Sequence, residues 1–203
     1  MKKIILASSS PRRRELIQLL DYPFEIHTRE VEEIINPQLS PEENVKYLAR
    51  LKAEAVAKEY SAEWIIGADT MVCLQSHILG KPKNEEEARK MLQLLSGQRH
   101  RVITGVALIK KNEVSTFCET TYVQMKILSK QEIDHYVATG EPLDKAGVPI
   151  CNSHKYAWEG KAGAYGIQDA FGAKFISGID GDYYNVVGLP VSRLYHELKR
   201  LGI

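Results

Sequence analysis

Residues 64–74 read Trp-Ile-Ile-Gly-Ala-Asp-Thr-Met-Val-Cys-Leu. An apolar run of this length, with Gly67 inside it and turn-forming residues after it, predicts a long central strand. The polar members of the run are Asp69 and Thr70. A carboxylate inside a central strand is costly to bury unpaired. It is therefore paired, placed on a metal, or set in a cleft where its protonation matters. The structural alternative is an Asp that accepts a local backbone hydrogen bond at a strand end. Gly67, two residues earlier, would let a ligand or another backbone come close.

A second constraint lies at the start of the chain. Ile4 to Ala7 is an apolar run of strand length, followed by Ser8-Ser9-Ser10, Pro11, Arg12-Arg13-Arg14 and a run with helical periodicity to Leu20. Ser10 is placed as N-cap and Pro11 as the first helical residue, since proline has no N–H to lose there. Three arginines then fall in the first turn, the positive end of the helix dipole. They repel one another there unless an anion sits among them. Free backbone N–H groups and serine hydroxyls make the same turn suited to phosphate. A solvated basic cluster is the competing reading.

The helix predicted over Pro41 to about Tyr60 starts at a capping box, Ser40-Pro41-Glu42-Glu43. Val45, Leu48, Ala49 and Val56 mark its apolar stripe, and Lys52 lies in the middle of it. A lysine so placed either snorkels to water or is buried against an anion. Further along, strands are expected at Phe24–Thr28, Arg101–Lys111, Val114–Leu128 and Lys174–Gly178. The Arg101 and Val114 strands should form a hairpin about Lys111-Asn112-Glu113. Helices are expected from Asn84 to about Ser96, from Ser129 to Gly140, and from Pro190 to Gly202, with 181–185 a turn. Lys81 precedes Pro82, so it is extended. Alternating early elements and a hairpin in the middle predict α/β with a mixed sheet.

Composition narrows the partners. With 27 basic and 26 acidic residues, the chain has no global field suited to DNA or an anionic membrane. Any phosphate site must be a local concentration of charge. Cys73, Cys118 and Cys151 are an odd, widely spaced set, so neither a disulfide framework nor a zinc site is expected. Free thiols in a reducing cytoplasm follow. No stretch reaches membrane-span length. There is no Gly-x-x-x-x-Gly-Lys-[Ser/Thr], no Gly-x-Gly-x-x-Gly after a strand, no Gly-x-Ser-x-Gly and no His-Glu-x-x-His.

Taken together, the misplaced charges are Arg12, Arg13, Lys52, Lys81, Asp69 and Glu33. Cations suit phosphate oxygens, arginine in bidentate fashion and lysine as a point charge. Two carboxylates suit a hard divalent cation that shares phosphates with its protein. One of them can instead take a water's proton. These parts describe metal-assisted hydrolysis of a phosphoanhydride.

Ser8-Ser9-Ser10-Pro11-Arg12-Arg13 resembles the Ser-x-Ser-Pro-Arg-Arg signature of the Maf family of nucleoside triphosphate pyrophosphatases. Further matches follow in order: Glu33, Lys52, Gly67-Ala68-Asp69-Thr70, Lys81-Pro82, and Tyr165-Gly166-Ile167-Gln168. The run 181–190 also resembles the family. The resemblance implies a single domain of two lobes over 1–203, set about an elongated central sheet with a cleft between them, as in inosine-triphosphatase-like folds. It implies Asp69 as general base, and Glu33 as its partner for metal and water. Ser8, Ser10, Arg12, Arg13, Lys52 and Lys81 would hold the triphosphate. The metal would be Mg²⁺ or Mn²⁺ on Glu33 and Asp69. Arg12, Thr70 and Gln168 fall on positions linked to substrate choice, and Gly-Ala-Asp-Thr resembles the branch acting on dTTP and UTP. Gln168 offers a donor and an acceptor to a pyrimidine edge carrying O4 and N3–H. A homodimer and a link to arrest of cell division are further family implications. The departure from the pattern is a repeat: Lys145-Ala146-Gly147 recurs as Lys161-Ala162-Gly163, with an inserted loop expected over 148–163. The rival readings are a non-catalytic nucleotide- or RNA-binding regulator of division, which needs neither carboxylate, and a phosphotransferase, which needs an acceptor site.

Overall fold

The computed structural model of the chain describes residues 3–60, 62–138 and 161–203. Its strands are β1 (Ile4–Leu6), β2 (Phe24–Ile26), β3 (Trp64–Leu74), β4 (His77–Leu79), β5 (Arg99–Lys110), β6 (Glu113–Met125) and β7 (Ile176–Asp180). Its helices are α1 (Pro11–Gln18), α2 (Pro41–Ala57), α3 (Glu85–Leu95), α4 (Lys130–Ala138), α5 (Ala170–Phe175), α6 (Tyr183–Val187) and α7 (Val191–Arg200), with a short 3-10 turn at Ala162–Ala164. The strands make one seven-stranded sheet in the order β2-β1-β3-β5-β6-β7, with β4 pairing β3 off that path. Pairing of β1 with β2 and β3 is parallel, and of β3 with β4 and β6 with β7 antiparallel, so the sheet is mixed as expected. The expected central strand is β3, at the predicted boundaries.

The chain divides into two compact units: Met1–Thr70, Ile103–Thr121 and Asp182–Ile203 form the first, Met71–Val102 and Tyr122–Gly181 the second. In the first unit, Ile5, Ala7, Ala49, Ala53, Val56, Ile65, Ala107 and Ile109 form one buried cluster. The α2 stripe packs on the sheet through small residues. At Gly67 a side-chain Cβ would collide with the Ala49 carbonyl oxygen and lie 2.9 Å from Ala53 N. It is therefore the α2 backbone, not a ligand, that uses the room at Gly67. The second unit is centred on α3 and α4, where Arg89 bonds to both Glu85 (2.9 Å) and Asp134 (3.1 Å). An aromatic stack joins Tyr136 to Phe171 at 4.4 Å between centroids, and Phe171 to Phe175 at 4.9 Å.

Several boundaries differ from expectation for local reasons. The strand expected to run to Thr28 stops at Ile26, because its neighbour β1 offers three residues in register, Ile4 to Leu6. β6 ends at Met125 rather than Leu128, where a bulge between Gln124 and Met125 breaks the ladder with β7. The expected strand at Lys174–Gly178 is half helix. Asp169 caps α5 through Phe171 N (2.9 Å) and Gly172 N (3.3 Å), and β7 begins only at Ile176. The expected turn at 181–185 is the start of α6, capped by Asp182 on Tyr184 N (2.8 Å) and closed by Gly188 at φ +129°. The predicted helix end at Gly140 and residues 148–160 of the expected insertion lie outside the described residues.

Candidate active site

The register of β1 against β3 sets the site. Ile4, Ile5 and Leu6 lie opposite Trp64, Ile65 and Ile66, and Ala7 N donates to Ile66 O at 2.8 Å. Ser8 therefore leaves the sheet where β3 runs on through Gly67 to Asp69. Because α2 lies close over Gly67, Lys52 is carried to the same place. The result is a three-membered charge cluster. Lys52 Nζ donates to Asp69 Oδ1 at 2.6 Å and to Glu33 Oε2 at 2.8 Å. The Lys52 side chain is 13% exposed, so of the two fates open to it, burial against anions is the one observed. Asp69 is buried as well, while Glu33 stays exposed on an irregular loop.

That loop is held by a buried side chain that the periodicity did not flag. Asn44, fully buried on α2, accepts from Asn36 N (2.8 Å). Its amide donates to the carbonyls of Asn36 (2.9 Å), Leu39 (3.1 Å) and Ser40 (3.2 Å). Four bonds fix the backbone a few residues after Glu33. An asparagine inside an apolar stripe was the available signal, the same kind of misfit as Lys52.

Arg12, Arg13 and Arg14 do occupy the first turn of α1. Ser10 stands at the N-cap, but its side chain makes no capping bond; instead its N–H donates to Ser8 Oγ at 3.3 Å. Arg13 is turned inward. Its Nε donates to Gly188 O (2.7 Å), Nη2 to Thr70 Oγ1 (2.9 Å) and Nη1 to Ser8 Oγ (3.4 Å). Three of its five N–H donors are thus committed within the protein. Burial lowers the pKa of this guanidinium, opposed by the charge of Asp69. Thr70 Oγ1 also contacts Thr104 Oγ1 at 2.9 Å, and Thr104 Oγ1 donates to Asn185 O at 3.0 Å. Each hydroxyl has one proton, so the chain has one direction: Arg13 to Thr70, Thr70 to Thr104, Thr104 to the Asn185 carbonyl. Asn185 Nδ2 in turn donates to Thr121 Oγ1 at 2.9 Å. Thr104, Thr121 and Asn185 were missed from sequence. A lone threonine in a strand carries no signal of its own, although all three are fully buried.

Lys81 and Gln168 belong to the second unit and are both exposed there. The structure thus makes two bonded sets within the first unit, Lys52 with Asp69 and Glu33, and Arg13 with Ser8 and Thr70, which meet where Asp69 and Thr70 adjoin in β3; Lys81 and Gln168 lie in the second unit.

Comparison with known proteins decides the family. The family model described as Maf-like protein matches residues 3–154 and 151–201. The chain belongs to the Maf-like family. The two matched stretches overlap at 151–154, between the two Lys-Ala-Gly copies. Relatives from Bacillus cereus (strain B4264) and Bacillus thuringiensis subsp. konkukian (strain 97-27), each called dTTP/UTP pyrophosphatase, are 52% identical over 203 residues. That alignment spans all of this chain and 97% of each relative. Among solved structures, the Staphylococcus aureus Ham1 protein superposes with a TM-score of 0.54 at 16% identity, covering 98% of this chain and 100% of that one. At that identity the likeness is one of fold.

The donor set also bears on a metal. Among the described residues no group of three or more His, Cys, Asp or Glu side chains could hold an ion. What the site offers is two carboxylates, Glu33 and Asp69, aimed at one cation. That fits Mg²⁺ or Mn²⁺ held by one or two carboxylates and shared with substrate phosphates, rather than an all-protein cage. Among the described residues, no helix is long and apolar enough to cross a membrane.

Proposed function

We propose that this chain hydrolyses nucleoside triphosphates at the α-phosphorus, dTTP and UTP foremost, releasing a nucleoside monophosphate and pyrophosphate. The observation that carries the reading is the convergence of Glu33 and Asp69 on Lys52 beside the arginine-bearing turn of α1. The full-length relatives named for that activity support the reaction and the substrate branch.

In this reading Asp69 is the base that takes a proton from the attacking water, and Glu33 orients that water. Glu33 and Asp69 would hold a divalent cation, Mg²⁺ or Mn²⁺, which when bound neutralises charge on the phosphates. Lys52 turns its ammonium towards the phosphates, joined by Ser8, Ser10 and Arg12; the family resemblance would add Lys81. Arg13 serves the triphosphate from a fixed position, since Gly188 O and Thr70 hold its guanidinium. Thr70 therefore affects substrate choice through Arg13, while Gln168 reads the pyrimidine edge. A homodimer, a cytoplasmic location and a part in cleansing the nucleotide pool or arresting division belong to the same proposal.

The test is a panel of canonical and modified nucleoside triphosphates with Mg²⁺ or Mn²⁺, followed by product identification. Pyrophosphate with dTMP or UMP supports the reading. Tight binding without turnover favours the nucleotide-binding regulator, and orthophosphate with a diphosphate places the attack at another phosphorus. Asp69→Asn should lower kcat about a thousandfold or more, leaving nucleotide binding measured without the cation within about threefold, as expected when a base acts only in the transition state.

A further inference from the structure

In the second unit, the segment from Lys161 to Asp169 is clamped at three places that the proposed chemistry does not use. At its start, Gly163 adopts φ +69° and donates its N–H to Gly80 O at 3.1 Å. A Cβ at Gly163 would press on Val72 and Leu95, 3.1 and 3.3 Å away. In the middle, the Tyr165 hydroxyl meets His100 Nε2 at 2.6 Å, both side chains being buried. At its end, Lys161 Nζ donates to Asp169 Oδ2 at 2.7 Å, with the two side chains 13% and 18% exposed. The other oxygen of Asp169 caps α5. Gly166 lies under the pair: a Cβ there would strike Asp169 Oδ2 and stand 2.8 Å from Lys161 Nζ. Gln168 sits next to Asp169 and is exposed.

An amide can present its oxygen and its NH₂ either way round. One orientation pairs with the O4 and N3–H of uracil or thymine; the other suits cytosine. A turn about the last side-chain bond exchanges the two, so the groups around the amide make the choice, and they can make it only where the backbone that carries Gln168 holds the amide at a fixed place. We propose that the Lys161–Asp169 ion pair, closed over Gly166, is the clamp that sets Gln168 for uracil and thymine, making Lys161 and Asp169 positioning residues for base selection. The inference rests on the assignment of Gln168 to the base. The bond from Gly163 to Gly80, the neighbour of Lys81, ties the same segment to the strand end that carries this cation.

Asp169→Asn keeps an acceptor for the α5 cap and removes the charge; Lys161→Met removes the other partner at similar length. For each, kcat/KM is measured with dTTP and dCTP, and binding with the non-hydrolysable α,β-imido forms of dUTP and dCTP. The preference for the uracil or thymine base should fall about tenfold, the worth of one hydrogen bond set or lost. The kcat for dTTP should stay within about threefold. In a Gln168→Ala background the same substitutions should change the preference no further, because there is nothing left to position. Loss of thermal stability with the preference unchanged overturns the proposal. So does a loss that multiplies with that of Gln168→Ala. A wild-type protein that binds the imido analogues with a clear uracil preference but turns nothing over refutes the enzymatic reading and leaves this test intact in the binding assay. A wild type with no base preference in either assay refutes the clamp.

Discussion

Replacement of Lys52 by methionine tests the organisation of the site most directly. The ammonium is the shared partner of Asp69 and Glu33, at 2.6 and 2.8 Å. Methionine fills much the same volume and removes the charge, so the core packing of α2 is kept. Asp69, with a side chain 10% exposed, is then left in a low-dielectric setting without its nearest cation. Breaking a buried pair by deleting one partner costs about 3–5 kcal/mol. The charge of Arg13 remains near Asp69 and offsets part of this, and Glu33 can turn to water, so about 3 kcal/mol is the expected loss. For a chain of this length that lowers the melting temperature by roughly 6–12 °C. The assay is thermal unfolding followed by circular dichroism without nucleotide. Because the cost lies in an orphaned carboxylate, Lys52→Met combined with Asp69→Asn should regain most of the loss, whereas Asp69→Asn alone leaves the ammonium with Glu33 as its carboxylate partner. A melting point for Lys52→Met within about 2 °C of wild type, or a double variant no more stable than Lys52→Met, would refute the reasoning.

Three other outcomes follow from the same contacts. Asn44→Leu takes the side-chain partner from Asn36 N and from the Leu39 carbonyl, and one of the bonds to the Asn36 and Ser40 carbonyls, which keep backbone donors; stability should drop by about 2 kcal/mol and kcat/KM by at least about tenfold, read by denaturant titration and steady-state kinetics. Gly67→Ala drives a methyl group into the backbone of α2, so it should cost at least about 2 kcal/mol and lower the yield of folded protein. Burial holds the His100 pKa down at about 4, against an ordinary 6.5. The unfolded chain thus binds the proton first on acidification. Stability is complete above about pH 6.5 and falls between there and pH 4 by about 3 kcal/mol, a loss that His100→Gln should not show.

The fold was legible where patterns were long. β3 and the capped helices α2, α3 and α4 start where the sequence says they should, because caps and apolar periodicity act locally. The tail was not legible in the same way. α5 and α6 have six and five residues, too few to show a period, and they owe their existence to Asp169 and Asp182 as caps. Phe175, packed on Phe171, which packs in turn on Tyr136, reads equally well as a strand residue. In the site, Lys52 and Asp69 could be found as misfits, since a charge among apolar neighbours must be explained. That each explains the other required the close approach of α2 at Gly67. Asn44 and Thr104 carry no formal charge, and their roles depend on carbonyls far along the chain or in a loop.

The three arginines of α1 posed a problem of charge at the positive end of a helix. The structure resolves it for Arg13 by means internal to the protein. The Gly188 carbonyl, the one-way hydroxyl chain and the charge of Asp69 hold that guanidinium in place. Within the first unit, Arg12, Arg13 and Lys52 then stand against Glu33 and Asp69, a surplus of a single positive charge. A bare triphosphate would overshoot that surplus several times over and would also repel both carboxylates. A triphosphate that arrives with a divalent cation comes close to balancing it, and it gives the two carboxylates a new partner as Lys52 turns towards the phosphates. For the proposed hydrolase, the charges of the first unit would favour a metal–nucleotide complex over the free nucleotide. Nucleotide affinity should rise when the cation is added, and affinity for the cation should rise equally when the nucleotide is added.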